Sequence, residues 1–369
     1  MGSINLALNS ALSGLLTSQQ ALSVVSNNLA NVNNPDYNKK TVTEQSRVLA
    51  GTGAGVQIAS ITRSVNEGLN STVRVASGDL NNLTTSGTFY TQLQNLFGQP
   101  SDASSISALM QNMQSAFSTL ATSPNNDPSS AVQAATQAVN SLQSMTTQIQ
   151  SLRSQADQQM GADVTTINTT LQNIANLNNQ ISTLTANGTS PSDLQDQRDA
   201  QLNTLSGYID FTSFTRSDGS ISLFTKGGTP LLDGKAVPLA HTSANVIQPQ
   251  MNVAVGDLTG ITANGIDITS QIGSGSLSAL IDMRDNVLPN LQSQLDTLAQ
   301  TTMTTLNQVN NRGVSYPSGG QSMTGTTTFT DPSAQTMSLS GGDTAIVLMD
   351  GTGNETASTT VNTLMQKYM

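Results

Sequence analysis

Residues 1–35 read MGSINLALNSALSGLLTSQQALSVVSNNLANVNNP, a stretch without any ionisable side chain. Its apolar residues follow alternating steps of four and three, interrupted only by Ser18: Ile4, Leu8, Ala11, Leu15, Leu22, Val25, Leu29 and Val32. This spacing predicts a helix that carries one narrow apolar seam of the coiled-coil type. Asn, Ser, Gln and Thr cover the opposite face, so no charges keep neighbouring copies apart. We therefore expect this seam to pack against a partner helix, as in close packing among many copies of the chain.

The same stretch fits neither a secretory signal nor a membrane segment. A signal needs a basic start and an unbroken apolar run of about 7–15 residues, whereas Asn5, Asn9 and Gln19 interrupt this one. A membrane span needs about 20 predominantly apolar residues. A helix lying on a membrane surface usually carries Lys or Arg, and the first basic residue here is Lys39. We therefore expect no membrane insertion.

The composition favours an assembly protein over an enzyme or a nucleic-acid binder. Only 10% of the residues are charged, against about 25% in an average soluble protein. The absence of Cys removes disulfides and thiolate metal sites. The net charge of −10, with 13 scattered basic residues, argues against binding to phosphates. A length of 369 residues predicts two or three domains.

Periodicity at the start of the chain predicts a helix followed by extended structure. The heptad helix occupies residues 1–36 and should end near Asn33-Asn34-Pro35, since Asn and Pro favour turns. Residues 37–88 are expected to form an extended linker segment. Within it, GTGAG at residues 51–55 lacks the strand and helix context of a phosphate-binding loop and is interpreted as a flexible turn.

Helical spacings over residues 89–206, and again over 276–312, predict an elongated antiparallel helical bundle. We expect breaks at residues 123–128 and at Gly161. Because Gly161 separates two near-heptad stretches, these stretches are expected to be two helices packed antiparallel. A shorter helix should follow, with Ser192 as its cap.

Residues 207–275 lie between the two helical parts and are predicted to form a β-rich insertion. Period-two segments alternate there with three turn signals: Asp218-Gly219, Gly227-Gly228 and Asp233-Gly234. Residues 313–369 should be the start of a β- and loop-rich domain, with weak strand signals at 326–329 and 345–349. The expected fold class is thus mainly α, with a coiled-coil-type N-terminal helix, an elongated bundle and small β segments.

The residues that most often carry chemistry form no predicted catalytic or metal site. His241 is the single histidine, and no nucleophile motif accompanies it, so we expect it in a loop or on the surface. Asp193, Asp196 and Asp199 begin a predicted helix, where the helix dipole explains acidic residues. Asp350 lies in DGTGNET, which lacks the spacing of a calcium loop. We therefore predict no enzymatic activity, no metal and no cofactor.

Residues 10–40 read SALSGLLTSQQALSVVSNNLANVNNPDYNKK and resemble the N-terminal signature shared by flagellar rod, hook and hook-associated proteins. The resemblance depends on an axial motif of five residues: Asn27, Asn28, Asn31, Pro35 and Tyr37. Asp36 stands where this superfamily usually has Gly, and a turn that prefers Gly accepts Asp at some conformational cost. Lys39 stands where Arg is commoner.

Three further stretches resemble the hook-associated protein 1 family in particular. They are GAGVQIASITRSVNEGLN at 53–70, DLQDQRDAQLNTLSGYIDF at 193–211 and the helical stretch at 275–313. Residues 311–313 depart from a His-containing version of the last motif. Together these similarities cover most of residues 1–313.

The resemblance implies a structural subunit that is exported through the flagellar type III apparatus and located in the extracellular flagellum, at the hook–filament junction. Its implied partners are further copies of itself in a ring, the hook protein and the next hook-associated or filament-junction protein. An export chaperone is a further implied partner, through a C-terminal helix. Here the chain ends in TTVNTLMQKYM, which is too short for that helix, so we expect a C-terminally truncated product in which the first helix lacks its mate.

Two alternatives remain open at this point. The first is another axial subunit, a rod or hook protein, which would share the motif of residues 27–37 but not the stretches at 193–211 and 275–313. The second is a secreted helical adhesin or effector that uses only the export signal.

Overall fold

A computed structural model describes residues 2–49, 51–99, 101–122, 127–312, 345–349, 355–360 and 363. The chain divides into two compact units, residues 1–299 and residues 300–369. The described helices are α1 (Gly2–Ala30), α2 (Glu67–Phe97), α3 (Ile106–Thr122), α4 (Ser129–Ala186), α5 (Ser192–Tyr208), α6 (Gly275–Asp282) and α7 (Leu288–Arg312). The described strands are β1 (Lys40–Leu49), β2 (Thr52–Arg63), β3 (Thr212–Thr215), β4 (Ile221–Phe224), β5 (Pro230–Asp233), β6 (Lys235–Ala236), β7 (Leu239–Ala240), β8 (Thr262–Ala263), β9 (Ile266–Asp267), β10 (Ala345–Met349) and β11 (Glu355–Thr360). The mainly α fold class with small β segments is confirmed.

The N-terminal region is a helix lying on a two-stranded hairpin. Strands β1 and β2 pair antiparallel, from Lys40 opposite Arg63 to Leu49 opposite Thr52. Helix α1 packs along this hairpin, chiefly on β2. We call residues 2–63 the arm. The expectation of extended structure over 37–88 is correct for the hairpin and wrong for residues 67–88, which belong to helix α2.

Helix α4 is the longest element and runs for 58 residues without interruption. The predicted break at Gly161, and with it the antiparallel pairing of two helices there, is therefore wrong. A side chain at Gly161 would place its Cβ 2.9 Å from Ser243 Oγ. The glycine therefore leaves room for the loop at Ser243 to pack on α4. Burial of the residues on either side of the glycine outweighs its cost of about 1 kcal/mol in helix propensity.

Helices α5, α6 and α7 complete the helical part. Ser192 is the first residue of α5 and not its cap, because Pro191 precedes it and its hydroxyl donates to the Ile61 carbonyl at 3.1 Å. Between α6 and α7, Met283–Val287 form a π-helical turn. The apolar core joins α4, α5 and α6 to the β-rich insertion through residues such as Ile167, Leu205, Leu223, Leu277 and Leu280.

The β-rich insertion contains two small antiparallel sheets, in the orders β3-β4-β5-β6 and β7-β8-β9. All three predicted turn dipeptides lie where neighbouring strands of the first sheet connect, and Asp233 is the last residue of β5. The glycine at the second position of each dipeptide has a positive φ, 81° at Gly219, 85° at Gly228 and 73° at Gly234, a conformation that favours glycine. The β-rich prediction for this segment is confirmed.

In the second unit, β10 and β11 form an antiparallel hairpin. The strand predicted at 345–349 is therefore present. The strand signal at 326–329, the DGTGN of the DGTGNET stretch and most of the terminal TTVNTLMQKYM lie outside the described residues.

His241 lies in a loop, as one of the two expected placements had it, but its side chain is fully buried and not on the surface. It follows strand β7, and its Nε2 lies 3.1 Å from Asp157 Oδ1. Arg284, also buried, donates to the same oxygen at 2.6 Å. Burial alone would raise the pKa of Asp157, but the contacts from His241 and Arg284 and the Ala244 N–H outweigh it and hold that pKa below its usual value. The cluster thus ties α4 to the insertion and to the π-helical turn.

Candidate assembly surface

The face of α1 that rests on the hairpin combines hydroxyl residues with the buried Val24. Ser13 Oγ donates to the Ser10 carbonyl at 2.8 Å and accepts from the Val56 N–H at 3.2 Å. Thr17 Oγ1 donates to the Val56 carbonyl at 3.4 Å. Thr17 and Val24 are both buried. The helix therefore uses hydroxyl groups to dock on the strand.

Gly55 makes this close approach geometrically feasible. Its φ is +108°, and a Cβ built there would lie 1.9 Å from Ser13 Oγ. A larger residue would suffer both backbone strain and a collision. Gly55 therefore belongs to a helix–strand contact, whereas the sequence had predicted only a flexible turn over residues 51–55.

The opposite face of α1 carries the predicted seam, and the whole seam is exposed. The exposed fraction of its large side chains runs from 60% at Val25 to 73% at Ile4 and Leu29. Ala11 is also exposed. Val32 lies just beyond the helix end and is exposed as well; the remaining exposed members are Leu8, Leu15 and Leu22. The structure thus brings the predicted residues together on one solvent-facing stripe.

Leu12 and Leu16 widen this stripe, since each is more than half exposed although neither belongs to the predicted seam. The outward face of α1 is therefore broader than a strict coiled-coil seam over these two turns.

Two residues of the axial motif close the corner between α1 and β1. Asn28 Oδ1 accepts from the Tyr37 hydroxyl and from the Lys40 N–H, each at 2.9 Å. Asn28 Nδ2 donates to the Lys40 carbonyl at 2.8 Å. The Lys40 ammonium lies 4.1 Å from the centre of the Tyr37 ring. Asn28 and Tyr37 therefore hold the end of the helix against the start of the strand.

The other three residues of the motif shape the turn. Asn31 donates through Nδ2 to the Asn27 carbonyl at 3.0 Å, and the Asn27 side chain is exposed. Pro35 is exposed in the turn that follows. Asp36 does not adopt a positive φ; of the described non-glycine residues only Asn264 does, so the cost expected at Asp36 does not arise.

A cluster of six charged side chains joins the arm to α5 and α2. We call it the charge cluster; its members are Lys40, Arg63, Arg74, Asp193, Asp196 and Asp199. Arg63 Nη1 donates to Asp196 Oδ1 at 2.9 Å and to Asp199 Oδ2 at 2.6 Å. Arg74 Nη2 donates to Asp199 Oδ1 at 3.2 Å. Its six members carry three positive and three negative charges, and five of the six side chains are largely buried. Glu67 adds an exposed carboxylate 3.9 Å from Arg63 Nη2.

Lys40 occupies the arm side of this cluster, in contact with Asp193 and 3.1 Å from Asp196 Oδ2. Burial alone would lower the pKa of Lys40, but these two carboxylates outweigh it and raise the pKa above its usual value. Lys40 therefore stays charged in its buried position. Sequence reasoning had assigned Asp193, Asp196 and Asp199 to the helix dipole, and it had found no partner for them.

A second exposed apolar stripe runs along α2 and was also missed. Its large members recur at heptad spacing and are all more than half exposed: Leu69, Val73, Leu80, Leu83 and Tyr90. The same periodicity that revealed the seam of α1 could have revealed this stripe.

The described residues contain no group of His, Asp and Glu side chains arranged to hold a metal ion. Among the helices that the structure describes, none is both long and apolar enough to cross a bilayer.

Comparisons with known proteins identify the family of the chain. The family model "Flagellar hook-associated protein FlgK helical domain" matches residues 90–329, and the model "Flagella basal body rod protein" matches residues 8–37. A solved structure, that of the flagellar hook junction protein FlgK from Burkholderia pseudomallei, is similar with a TM-score of 0.55 and 28% identity, over 66% of this chain and 44% of that one.

Curated relatives give the same result. Flagellar hook-associated protein 1 of Salmonella typhimurium is 30% identical over 306 residues, which cover 79% of this chain and 54% of the relative. The Bacillus subtilis protein of that name is 24% identical over 357 residues, covering 85% and 68%. The chain thus spans about half the length of the first of these relatives. With a matching helical-domain model over most of its length, the chain belongs to the flagellar hook-associated protein 1 (FlgK) family.

Proposed function

We propose that this chain is a structural subunit of the bacterial flagellum that joins hook to filament and packs the exposed seam of α1 against neighbouring subunits. The observation that carries this proposal is the orientation of α1. Its polar face is already occupied by the hairpin, so the seam remains free for a partner. Complete burial of one Leu or Ile side chain contributes about 1.5–3 kcal/mol, so a seam of several such residues supplies a substantial driving force for assembly.

The absence of charge suits packing among identical copies. The first charged residue of the chain is Asp36, so copies of α1 can lie side by side without repulsion between like charges. A ring of such subunits, in contact with hook protein on one side and with the next hook-associated or filament-junction protein on the other, is the proposed assembly. Asn28 and Tyr37 would set the direction of α1 within it, while Asn27, Asn31 and Pro35 would shape the turn.

In this proposal the protein is exported through the flagellar type III apparatus and acts outside the cell. Its role is mechanical and not enzymatic. The helical part and the β-rich insertion would form the portion of the subunit that does not enter the packed helices.

The experiment replaces the native chain in the source bacterium by Leu22→Asp or Leu29→Asp. Either change would place a charge in a buried seam, which is costly without a partner. We expect export and a folded helical part, but no incorporation into hook–filament preparations, as measured with an antibody against the chain. Gln20→Asp is the matched control, because Gln20 is exposed and lies two residues from Leu22, on the other side of the helix. Normal filaments containing the Leu22→Asp chain would contradict the proposal.

A further inference from the structure

The tripeptide Ala-Asn-Gly occurs at two places in the first unit. Residues 186–188 lie at the end of α4, and residues 263–265 include the turn between β8 and β9. Both asparagines are exposed. An asparagine followed by glycine can react with its own backbone, because glycine has no side chain to hinder the attacking nitrogen. Since the immediate neighbours of the two asparagines are identical, the fold decides which of the two copies reacts faster.

The copy at the end of α4 has its backbone nitrogen engaged in a hydrogen bond. The Gly188 N–H donates to the Thr185 carbonyl at 3.1 Å, and the next N–H, that of Thr189, donates to the Leu184 carbonyl at 2.9 Å. Bonds of this kind satisfy the last carbonyl groups of a helix. Reaction at Asn187 therefore requires the end of α4 to open first.

In the turn between β8 and β9, the corresponding nitrogen is free. Among the described residues, the Gly265 N–H has no hydrogen-bond acceptor, and the side-chain amide of Asn264 has no polar partner. Asn264 has φ of 50° and Gly265 has φ of 79°, as a two-residue hairpin turn requires. A Cβ built at Gly265 would meet no atom within 4 Å, so nothing crowds the turn. Both reacting groups thus face solvent without prior opening.

The Asp-Gly pairs of the β-rich insertion could react by the same route, but their carboxylates are engaged. Asp218 Oδ1 accepts from the Ser220 N–H at 2.9 Å, and Asp233 Oδ1 accepts from the Ser222 hydroxyl at 2.9 Å. The Ser220 hydroxyl and N–H hold the pKa of Asp218 below its usual value, and a carboxylate that stays ionised is a poor target for a backbone nitrogen. Of the Asn-Gly and Asp-Gly pairs that the structure describes, the pair at Asn264 is therefore the least restrained.

We propose that Asn264 is a site of self-modification, at which the folded chain converts asparagine to aspartate and isoaspartate. The Gly265 backbone nitrogen attacks Asn264 Cγ, and the bond from Cγ to the side-chain nitrogen breaks. The side-chain nitrogen leaves as ammonia with the proton of the attacking N–H, and a succinimide ring remains. Water then opens the ring. Attack at Cγ gives aspartate, and attack at the backbone carbonyl gives isoaspartate, so water is the one co-reactant.

The isoaspartate product changes the second sheet of the insertion. In isoaspartate the backbone runs through the side chain and gains a carbon atom, so the turn no longer fits the pairing of Ala263 with Ile266. Ala263 and Ile268 are fully buried in the apolar core, so a shift of this hairpin disturbs core contacts. The aspartate product adds a charge at an exposed position and keeps the backbone. Loosening of β8 and β9 is therefore specific to isoaspartate.

The test compares the two Ala-Asn-Gly copies within one sample. The purified chain is kept in neutral buffer and digested at intervals, and chromatography with mass spectrometry quantifies aspartate and isoaspartate at positions 187 and 264. We expect conversion at Asn264 to be at least about fivefold faster than at Asn187, the factor that corresponds to a hydrogen bond of about 1 kcal/mol at the Gly188 N–H. In urea, which unfolds both copies, the two rates should become equal.

Two variants test the consequence for the sheet. Asn264→Gly removes the reacting side chain and accepts the positive φ of the turn, so hydrogen exchange at residues 262–267 should stay unchanged as the sample ages. Asn187→Gly is the matched control at the end of α4. It should show the same increase in exchange at residues 262–267 as the otherwise native chain, in proportion to its isoaspartate content.

Three results would overturn the proposal. Equal or faster conversion at Asn187 in the folded chain would mean that the turn holds Asn264 away from ring closure. A rate difference that persists in urea would mean that more distant sequence, and not the fold, sets the two rates. Increased exchange at residues 262–267 in aged Asn264→Gly would mean that the hairpin loosens without the modification. The experiment needs the isolated chain alone, so its outcome does not depend on assembly in a flagellum.

Discussion

The arm and the helical part of the first unit bury opposite kinds of surface. In the helical part, apolar residues such as Ile174 and Leu205 are fully buried, although the stripe on α2 remains exposed. In the arm, hydroxyl and amide groups such as those of Ser13, Thr17 and Asn28 face inward, while the large apolar residues of the seam face solvent. The helical part thus has an apolar core within a single chain, whereas nothing among the described residues covers the seam of the arm.

This contrast separates two reasons why a residue is apolar. A core leucine stabilises the fold of its own chain, whereas a seam leucine contributes only when a partner covers it. Measurements on the isolated chain and on the assembly should therefore respond to different sets of substitutions.

The largest expected effect on the free energy of unfolding comes from replacing a leucine by alanine in the core, compared with the same replacement in the seam. Leu171→Ala, in the core of α4, should lower the free energy of unfolding by about 2–5 kcal/mol, since it removes buried methyl groups and leaves a cavity. Leu22→Ala, at a site 66% exposed, should change it by no more than about 0.5 kcal/mol. Urea denaturation followed by far-UV circular dichroism gives both values. Equal losses would remove the distinction between core and seam.

A smaller effect is expected inside the arm from Gly55→Ala. The new Cβ would collide with Ser13 Oγ at a strained φ, so docking of α1 on the hairpin should weaken by more than about 1 kcal/mol while the helical part keeps its stability. Hydrogen exchange of the α1 amides measures the docking. Gly53→Ala is the matched control, because nothing lies within 4 Å of a Cβ at that position. Similar exchange in the two variants would argue against the close contact.

The smallest effect should come from Tyr37→Phe. This change removes the hydroxyl that donates to Asn28 Oδ1 but leaves both backbone contacts of Asn28 with Lys40, so the last turn of α1 should lose about 0.5–1.5 kcal/mol of protection. Hydrogen exchange at residues 27–31 is the readout, with Tyr90→Phe on α2 as control. Unchanged protection in Tyr37→Phe would mean that the Asn28 backbone contacts suffice at this corner.

Sequence patterns predicted the features that local spacing determines. The seam of α1 followed from the heptad steps between Ile4 and Val32, and the insertion followed from glycine pairs such as Gly227-Gly228. The prediction of a break at Gly161 was wrong because a glycine in a helical pattern indicates either the end of the helix or a closely packed neighbour. Only the tertiary structure shows that the loop at Ser243 packs beside it. The stripe on α2 was readable from Leu69 to Tyr90 and was overlooked.

The charge cluster was beyond prediction for a different reason. The spacing of Asp193, Asp196 and Asp199 placed three carboxylates on one face of a helix. Their partners Lys40 and Arg63 are more than 120 residues away in sequence, and no local pattern connects such positions. Long-range ion pairs depend on how elements dock, which is set here by the approach of the hairpin to α5.

The docking of α1 on its hairpin also bears on how quickly copies could associate. Ser13, Gly55 and Asn28 fix the rotation of the helix about its own axis before any neighbour arrives. Ordering a flexible segment on contact costs conformational entropy and slows productive encounters. A helix that is preformed and already turned to the correct side avoids that cost, so each encounter needs only the right approach, not a folding event.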